Sequence, residues 1–235
     1  MINMSQIIRN LTFVSVISIT FFSPPSTAAT SGYNQTFDGV GNLAGWFANT
    51  TSSTVVNPGI GGNPDGHLES RRSGAFSIGA ATDLAAATGD FSGNIWTAKF
   101  DISELAGTTS KLALRFRYQD STFNGWQFNV ANSLNPAWTT FSVTFDPGWT
   151  DLQAKANGWD TDLLGGAGSV SWAQTLSDVY TTELRFDGTS TLLVGIDNFI
   201  LTAVPEPETY LLMLSGLGLL GVVTSRRKQK TDYLS

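Results

Sequence analysis

The sequence predicts an all-β protein: an antiparallel β-sandwich, jelly-roll-like, flanked by an N-terminal signal peptide and a C-terminal transmembrane helix. Three observations carry this. Between residues 30 and 203, short apolar or alternating runs are separated by turn dipeptides such as Asp38-Gly39, Asn63-Pro64, Asp65-Gly66, Asn124-Gly125 and Asp187-Gly188. Helical periodicity is scarce there, so short strands joined by Gly/Asn/Pro turns are the expected architecture. Each end of the chain also carries an uncharged apolar run with small or basic residues behind it.

The first 29 residues read as a signal peptide. Arg9 is the only charged side chain before Asp38, an apolar run follows from Leu11 to Phe22, and Ser26-Thr27-Ala28-Ala29 offers small residues to signal peptidase. The expected cut follows Ala29, with Ala28 as the alternative. A bilayer span needs about 20 apolar residues, so this run is short for a retained anchor.

Residues 30–203 are long enough for one domain with its own core. Alternation is clearest at Lys111–Gln119, where Leu112, Leu114, Phe116 and Tyr118 face one way and Lys111, Arg115 and Arg117 the other. Thr139–Phe145 and Ile95–Ile102 repeat the device. Further strands are expected at Tyr33–Phe37, Thr54–Asn57, His67–Ser70, Ala75–Ile78, Trp126–Val130, Thr182–Phe186 and Leu192–Leu201. Asp83–Ala87 suits one helical turn, and Thr150–Ala156 a short helix capped by Thr150 and stopped at Asn157-Gly158. The first and last strands are expected side by side, so that both chain ends leave from one edge.

Residues 204–230 combine three pieces in a fixed order. Val204-Pro205-Glu206-Pro207-Glu208 is stiffened by two prolines, Thr209–Ser225 carries no charge, and Arg226-Arg227-Lys228 follows. Such a run suits a short membrane helix whose basic end stays inside, with a hydrophilic tail at 231–235. This order resembles the PEP-CTERM sorting signal of Gram-negative bacteria at Val204, Pro205, Glu206, Pro207, Arg226, Arg227 and Lys228. The resemblance implies an exosortase-type membrane protease as partner, after signal peptidase and a transient stay in the inner membrane. It also implies a protein displayed at the cell surface or released outside. The tail beyond Lys228 departs from the family, which usually stops soon after the basic cluster.

Within 30–203, eight Lys and Arg face sixteen Asp and Glu, a net charge of −8. Such a domain repels nucleic acid and anionic membrane surfaces. Cysteine is absent, which excludes disulfides, thiol catalysis and zinc–thiolate sites. His67 is the only histidine, no Gly-x-Ser-x-Gly elbow occurs, and Glu69, Glu104 and Glu183 show no pairing by spacing. The domain therefore reads as non-enzymatic.

Loose motifs across the domain are similar to carbohydrate-binding and laminin-type jelly rolls: Phe37-Asp38-Gly39 with Gly45-Trp46, Gly61 to Leu68, Trp138 to Val143, and Gly195-Ile196-Asp197-Asn198-Phe199. That resemblance implies a structural calcium tying the start of the chain to its last strand, for which Asp38 and Asp197 are the candidate ligands. Asp197 interrupts an apolar run, so it either faces solvent by alternation or needs a buried partner, a cation or backbone donors. Of seven tryptophans, Trp126, Trp149 and Trp159 lie near turns. They are expected to be exposed as glycan platforms, the alternative being that they are core.

The leading expectation is thus an exported, exosortase-processed, non-enzymatic surface or matrix protein in an organism that builds extracellular polysaccharide or biofilm. A lectin-like glycan-binding module is the alternative, and an ice-binding protein and a secreted glycoside hydrolase stand behind it. The threonines lack the regular array that ice binding calls for.

Overall fold

A computed structural model describes residues 28–72, 77–118, 124–161 and 170–204, together with 215 and 217. Its elements, in chain order, are β1 (Tyr33–Gln35), β2 (Trp46–Ala48), β3 (Ser53–Val56), β4 (Leu68–Arg72), β5 (Ile78–Thr82), β6 (Ile95–Ala106), β7 (Thr109–Tyr118), β8 (Gly125–Ala131), β9 (Thr139–Phe145), α1 (Asp151–Ala156), β10 (Trp159–Asp160), α2 (Trp172–Ser177), β11 (Val179–Gly188) and β12 (Leu193–Val204).

The strands form two antiparallel sheets, one ordered β3-β4-β12-β6-β9 with β1 also on β12, the other β10-β8-β7-β11-β5-β2. The expected antiparallel β-sandwich is the fold. One continuous core fills the space between the sheets, fed by alternate residues of each strand: Ala98, Phe100 and Ile102 from β6, Leu112, Leu114 and Phe116 from β7, and Val194, Ile196, Phe199 and Leu201 from β12. Aromatic rings meet edge-on within it, as Trp46 does with Phe37 and Phe199.

β1 pairs with the far half of β12, Tyr33 opposite Leu201. The amide of Ala203 donates to Ser31 Oγ at 2.9 Å, so the two chain ends do leave from one edge. Helix α1 is capped as expected: Thr150 accepts from the Gln153 amide, and the Gln153 side chain answers in a reciprocal box. Asp83–Ala87 makes a turn, with Ala87 N donating to Leu84 O.

Several expectations need correction. Of the strand expected at Ala75–Ile78, residues 75 and 76 lie outside the described residues, and the described strand runs from Ile78 to Thr82, with Ile78 and Ala80 facing the core. Helix α2 was not foreseen, although Ser171 and Gln174 form the same capping box as in α1. Strands β2 and β10 were too short to show periodicity.

The expected signal peptide, the apolar segment, Pro205, Glu206, Pro207, Arg226, Arg227 and Lys228 lie outside the described residues, apart from helical Ser215 and Leu217 and from Ala28 and Ala29 at the end of the expected signal peptide. Among the described residues no helix is long and apolar enough to cross a membrane.

Candidate functional site

Two polar arrangements stand out, one on the outer face of each sheet. The first surrounds Asp197. A bulge in β12 between Asp197 and Ile200 places Asn198 at φ 50° and brings Phe199 back into the core. Asp197 consequently points outward, yet it is 0 % exposed because the loop 61–66 lies over it. Its Oδ2 accepts from the Asn63 amide at 2.6 Å and its Oδ1 from the Asn198 amide at 2.7 Å. Asp101, opposite it on β6, accepts from the side-chain amides of Asn63 and Asn198 and from Thr140 Oγ1.

Gly62 is obligatory in this cradle: a Cβ there would sit 1.8 Å from Gly66 O and 2.8 Å from Asp197 Oδ2. Burial pushes the Asp197 carboxyl up to about 6 against the pull of the two amides, and the charges of Asp101 and Asp38 add to the rise. Asp38 itself is exposed and accepts from Thr36 Oγ1 at 2.6 Å. The two candidate metal ligands thus share one neighbourhood, and the oxygen donors around them suit a hard cation. Among the described residues no three His, Asp or Glu side chains converge as a ready-made metal site.

The second arrangement is a cross-strand row on the outer face of the second sheet. Registers place Phe47, Ala81, Glu183, Arg115, Gln127 and Asp160 opposite one another across β2, β5, β11, β7, β8 and β10. Arg115 Nη1 lies 3.1 Å from Glu183 Oε1, both side chains 3 % exposed, and the same oxygen accepts from Asn49 Nδ2 at 2.8 Å. Arg115 Nε also donates to Gln127 Oε1, and Arg117 Nη1 lies 4.0 Å from Glu183 Oε2.

Beside this row, Ala48, Asn49, Thr50, Thr51 and Arg117 line an open cavity of about 560 Å³. Phe47 is 41 % exposed on the same face. Sequence reasoning missed this site, since its members come from six strands and only the alternation of β7 hinted at it.

Two of the three tryptophans expected at the surface need correction. Trp126 is 0 % exposed and Trp159 is 2 % exposed, both inside the core. Trp126 stands edge-on to Trp172 and donates to Val170 O, while Trp159 stacks on Phe116. Each follows a turn but enters a strand on its inward side. Trp149 is half-buried and stacks on Trp172.

His67 is buried on the outer face of the first sheet, edge-on to Trp138, with Glu69 Oε1 at 3.4 Å. Burial lowers its pKa and Glu69 only partly opposes this. The three glutamates are held apart by separate partners: Glu69 by Arg71, Glu104 by the Thr109 amide and Glu183 by Arg115.

Residues 203–228 match the PEP-CTERM protein-sorting motif. The chain carries a PEP-CTERM sorting signal. The signal marks an exported protein that an exosortase sorts to the cell surface or outside.

Among solved structures, the chain is similar to the family 11 carbohydrate-binding module of Clostridium thermocellum, determined with a β-1,3-1,4-mixed-linked tetrasaccharide. Identity is 14 %, the TM-score is 0.51, and the match covers 76 % of this chain and 99 % of that one. An exo-β-agarase matches at 12 % identity and TM-score 0.50, over 75 % of this chain and 26 % of that one. The CBM22-1-GH10 portion of Clostridium thermocellum xylanase 10B matches at 14 % identity and TM-score 0.48, over 74 % of this chain and 29 % of that one. The sandwich thus has the jelly-roll fold of carbohydrate-binding modules. No curated protein sequence matches the chain.

Proposed function

We propose that the exported sandwich is a non-catalytic glycan-binding module that works outside the inner membrane. The carrying observation is the polar row through Glu183, Arg115 and Gln127, with exposed Phe47 at one end and the Asn49–Arg117 cavity beside it. Amide, hydroxyl and guanidinium donors fixed on rigid strands suit sugar hydroxyls, and an exposed ring suits a sugar face. The fold shared with carbohydrate-binding modules supports this reading.

The protein's own mature form, run through gels containing polysaccharides, tests it. Retardation that weakens in Phe47→Ala, with the melting temperature kept, is the expected outcome. Migration unaffected by any of a broad set of plant, algal and bacterial polysaccharides overturns the reading.

A second reading concerns stability. Asp197, a fully buried carboxylate with a raised pKa, supports a structural calcium held by Asp197 and Asp38. Bound calcium would supply the positive charge that the two amides alone do not. A melting temperature that rises with calcium over EDTA, and rises less in Asp38→Asn, is expected. Equal melting temperatures with calcium and EDTA remove the ion.

A further inference from the structure

Most strands that border the two sheets are short: β1, β2, β3 and β10 run for two to four residues. Shortness protects a sheet edge from pairing with another chain. β9 is different. It closes the first sheet with seven residues, Thr139–Phe145, that include no charge and no proline, and it pairs on one side only, with β6. Among the described residues no further backbone hydrogen bond reaches it.

The side chains of β9 sort by face. Val143 and Phe145 are buried in the core, while Phe141, stacked on Phe100, is half-buried. Thr140, Ser142 and Thr144 are exposed on the outer face. Pairing β9 with a second β9, antiparallel about Ser142, sets Thr140 opposite Thr144, Phe141 opposite Val143 and Ser142 opposite its own counterpart. Hydroxyl then meets hydroxyl on one face and apolar meets apolar on the other, which are the pairs that stabilise a ladder.

Charge points to the same edge. Residues 30–203 carry a net charge of −8, so two copies repel over most of their surfaces. Beside β9, however, β6 offers Lys99, an exposed cation, and Asp101, which is buried and held by Asn63, Asn198 and Thr140. On this side of the sandwich Phe145 of β9 meets Trp159 of β10, and helix α1, which lies against β10, carries Leu152 at 78 % exposure.

We propose that β9 is a pairing edge whose occupant is a second copy of this chain, so that the first sheets of two molecules join into one about a twofold axis at Ser142. That axis stands perpendicular to the joined sheet, so the outer faces of the two second sheets point the same way. The pairing goes beyond the glycan-binding reading and does not depend on it. Where both hold, two sugar faces act together on one polymer. A single strand pair buries less than the about 1,600 Å² of a standard interface, so the expected Kd is about 10–100 µM.

Sedimentation of the mature protein over a concentration series tests this. A dimer is expected, weakened about fivefold in Ser142→Glu, because two carboxylates then oppose one another across the axis. Lys99, next to that position on β6, should keep the melting temperature of this variant. An equimolar mixture of Ser142→Glu and Ser142→Lys should restore the dimer. The chain has no cysteine, so Ser142→Cys should give a disulfide-linked dimer on oxidation, while Thr54→Cys, exposed on β3, should not. A wild-type protein that stays monomeric up to about 1 mM overturns self-pairing and leaves the edge to a foreign strand. Dimerisation untouched by Ser142→Glu, or equal cross-linking through either cysteine, overturns β9 as its seat.

Discussion

Trp159 is packed among Phe116, Phe128, Phe145 and Trp172, with ring centroids between 4.9 and 5.9 Å. Replacing a large buried ring by a methyl group costs about 3–5 kcal/mol. Trp159→Ala should therefore lower the denaturant midpoint by an amount of that size, whereas a surface platform would lose only binding. The residue was misread because Asn157-Gly158 marks a turn, and a turn says nothing about which way the next side chain points.

Asp197 carries a pH signature of known sign. Its folded-state pKa of about 6 lies above the ordinary value, so the fold favours the protonated form. Its stabilising contribution is complete below about pH 4 and is lost as pH rises through about 6. The metal-free protein should melt higher near pH 5 than near pH 7, and Asp197→Asn should flatten that difference. If calcium binds there, adding it should raise the melting temperature more at the higher pH, where the carboxylate is charged.

At the scale of the element, β7 shows what period two reveals and what it hides. Leu112, Leu114 and Phe116 face the core as the alternation requires. Arg115 faces away from it and is nevertheless buried, since Glu183 on β11 and Gln127 on β8 close around it. Breaking such a pair from one side strands a buried charge, at about 3–5 kcal/mol. Arg115→Met should cost that much in chemical denaturation, and Arg115→Met with Glu183→Leu should recover most of it. Helix α1 was legible from Thr150 and its stop. The equal signal at Ser171 was overlooked because capping residues identify a helix only when an apolar pattern behind them is also recognised.

At the scale of the molecule, the sorting signal begins where the sandwich ends. Val204 still pairs with Ile95, and Ala203 is fastened to Ser31, so no free linker separates the last strand from Pro205. Cleavage before Val204 would cut into a central strand that binds β4 and β1 on one side and β6 on the other. Mass spectrometry of the mature protein should find Val204 retained, and a chain ending at Val204 should keep the melting temperature of the exported form. Loss of folding in that shorter chain would show that the segment beyond Val204 supports the domain.

The sequence by itself determined the sandwich class and the sorting signal, while the expected pairing of the first and last strands was decided by the register of β1 on β12. The class and the signal rest on local order along the chain: alternation, turn residues, or three pieces in succession. Only the tertiary structure decided that Trp126 and Trp159 are core, that Asp197 is buried under the loop 61–66, and that Asn49, Arg115, Arg117 and Glu183 form one face. Those facts depend on registers between strands as far apart as 134 residues in the Asn49–Glu183 contact. Burial and cross-strand partnership are properties of packed layers, and a single strand's pattern does not encode its neighbours.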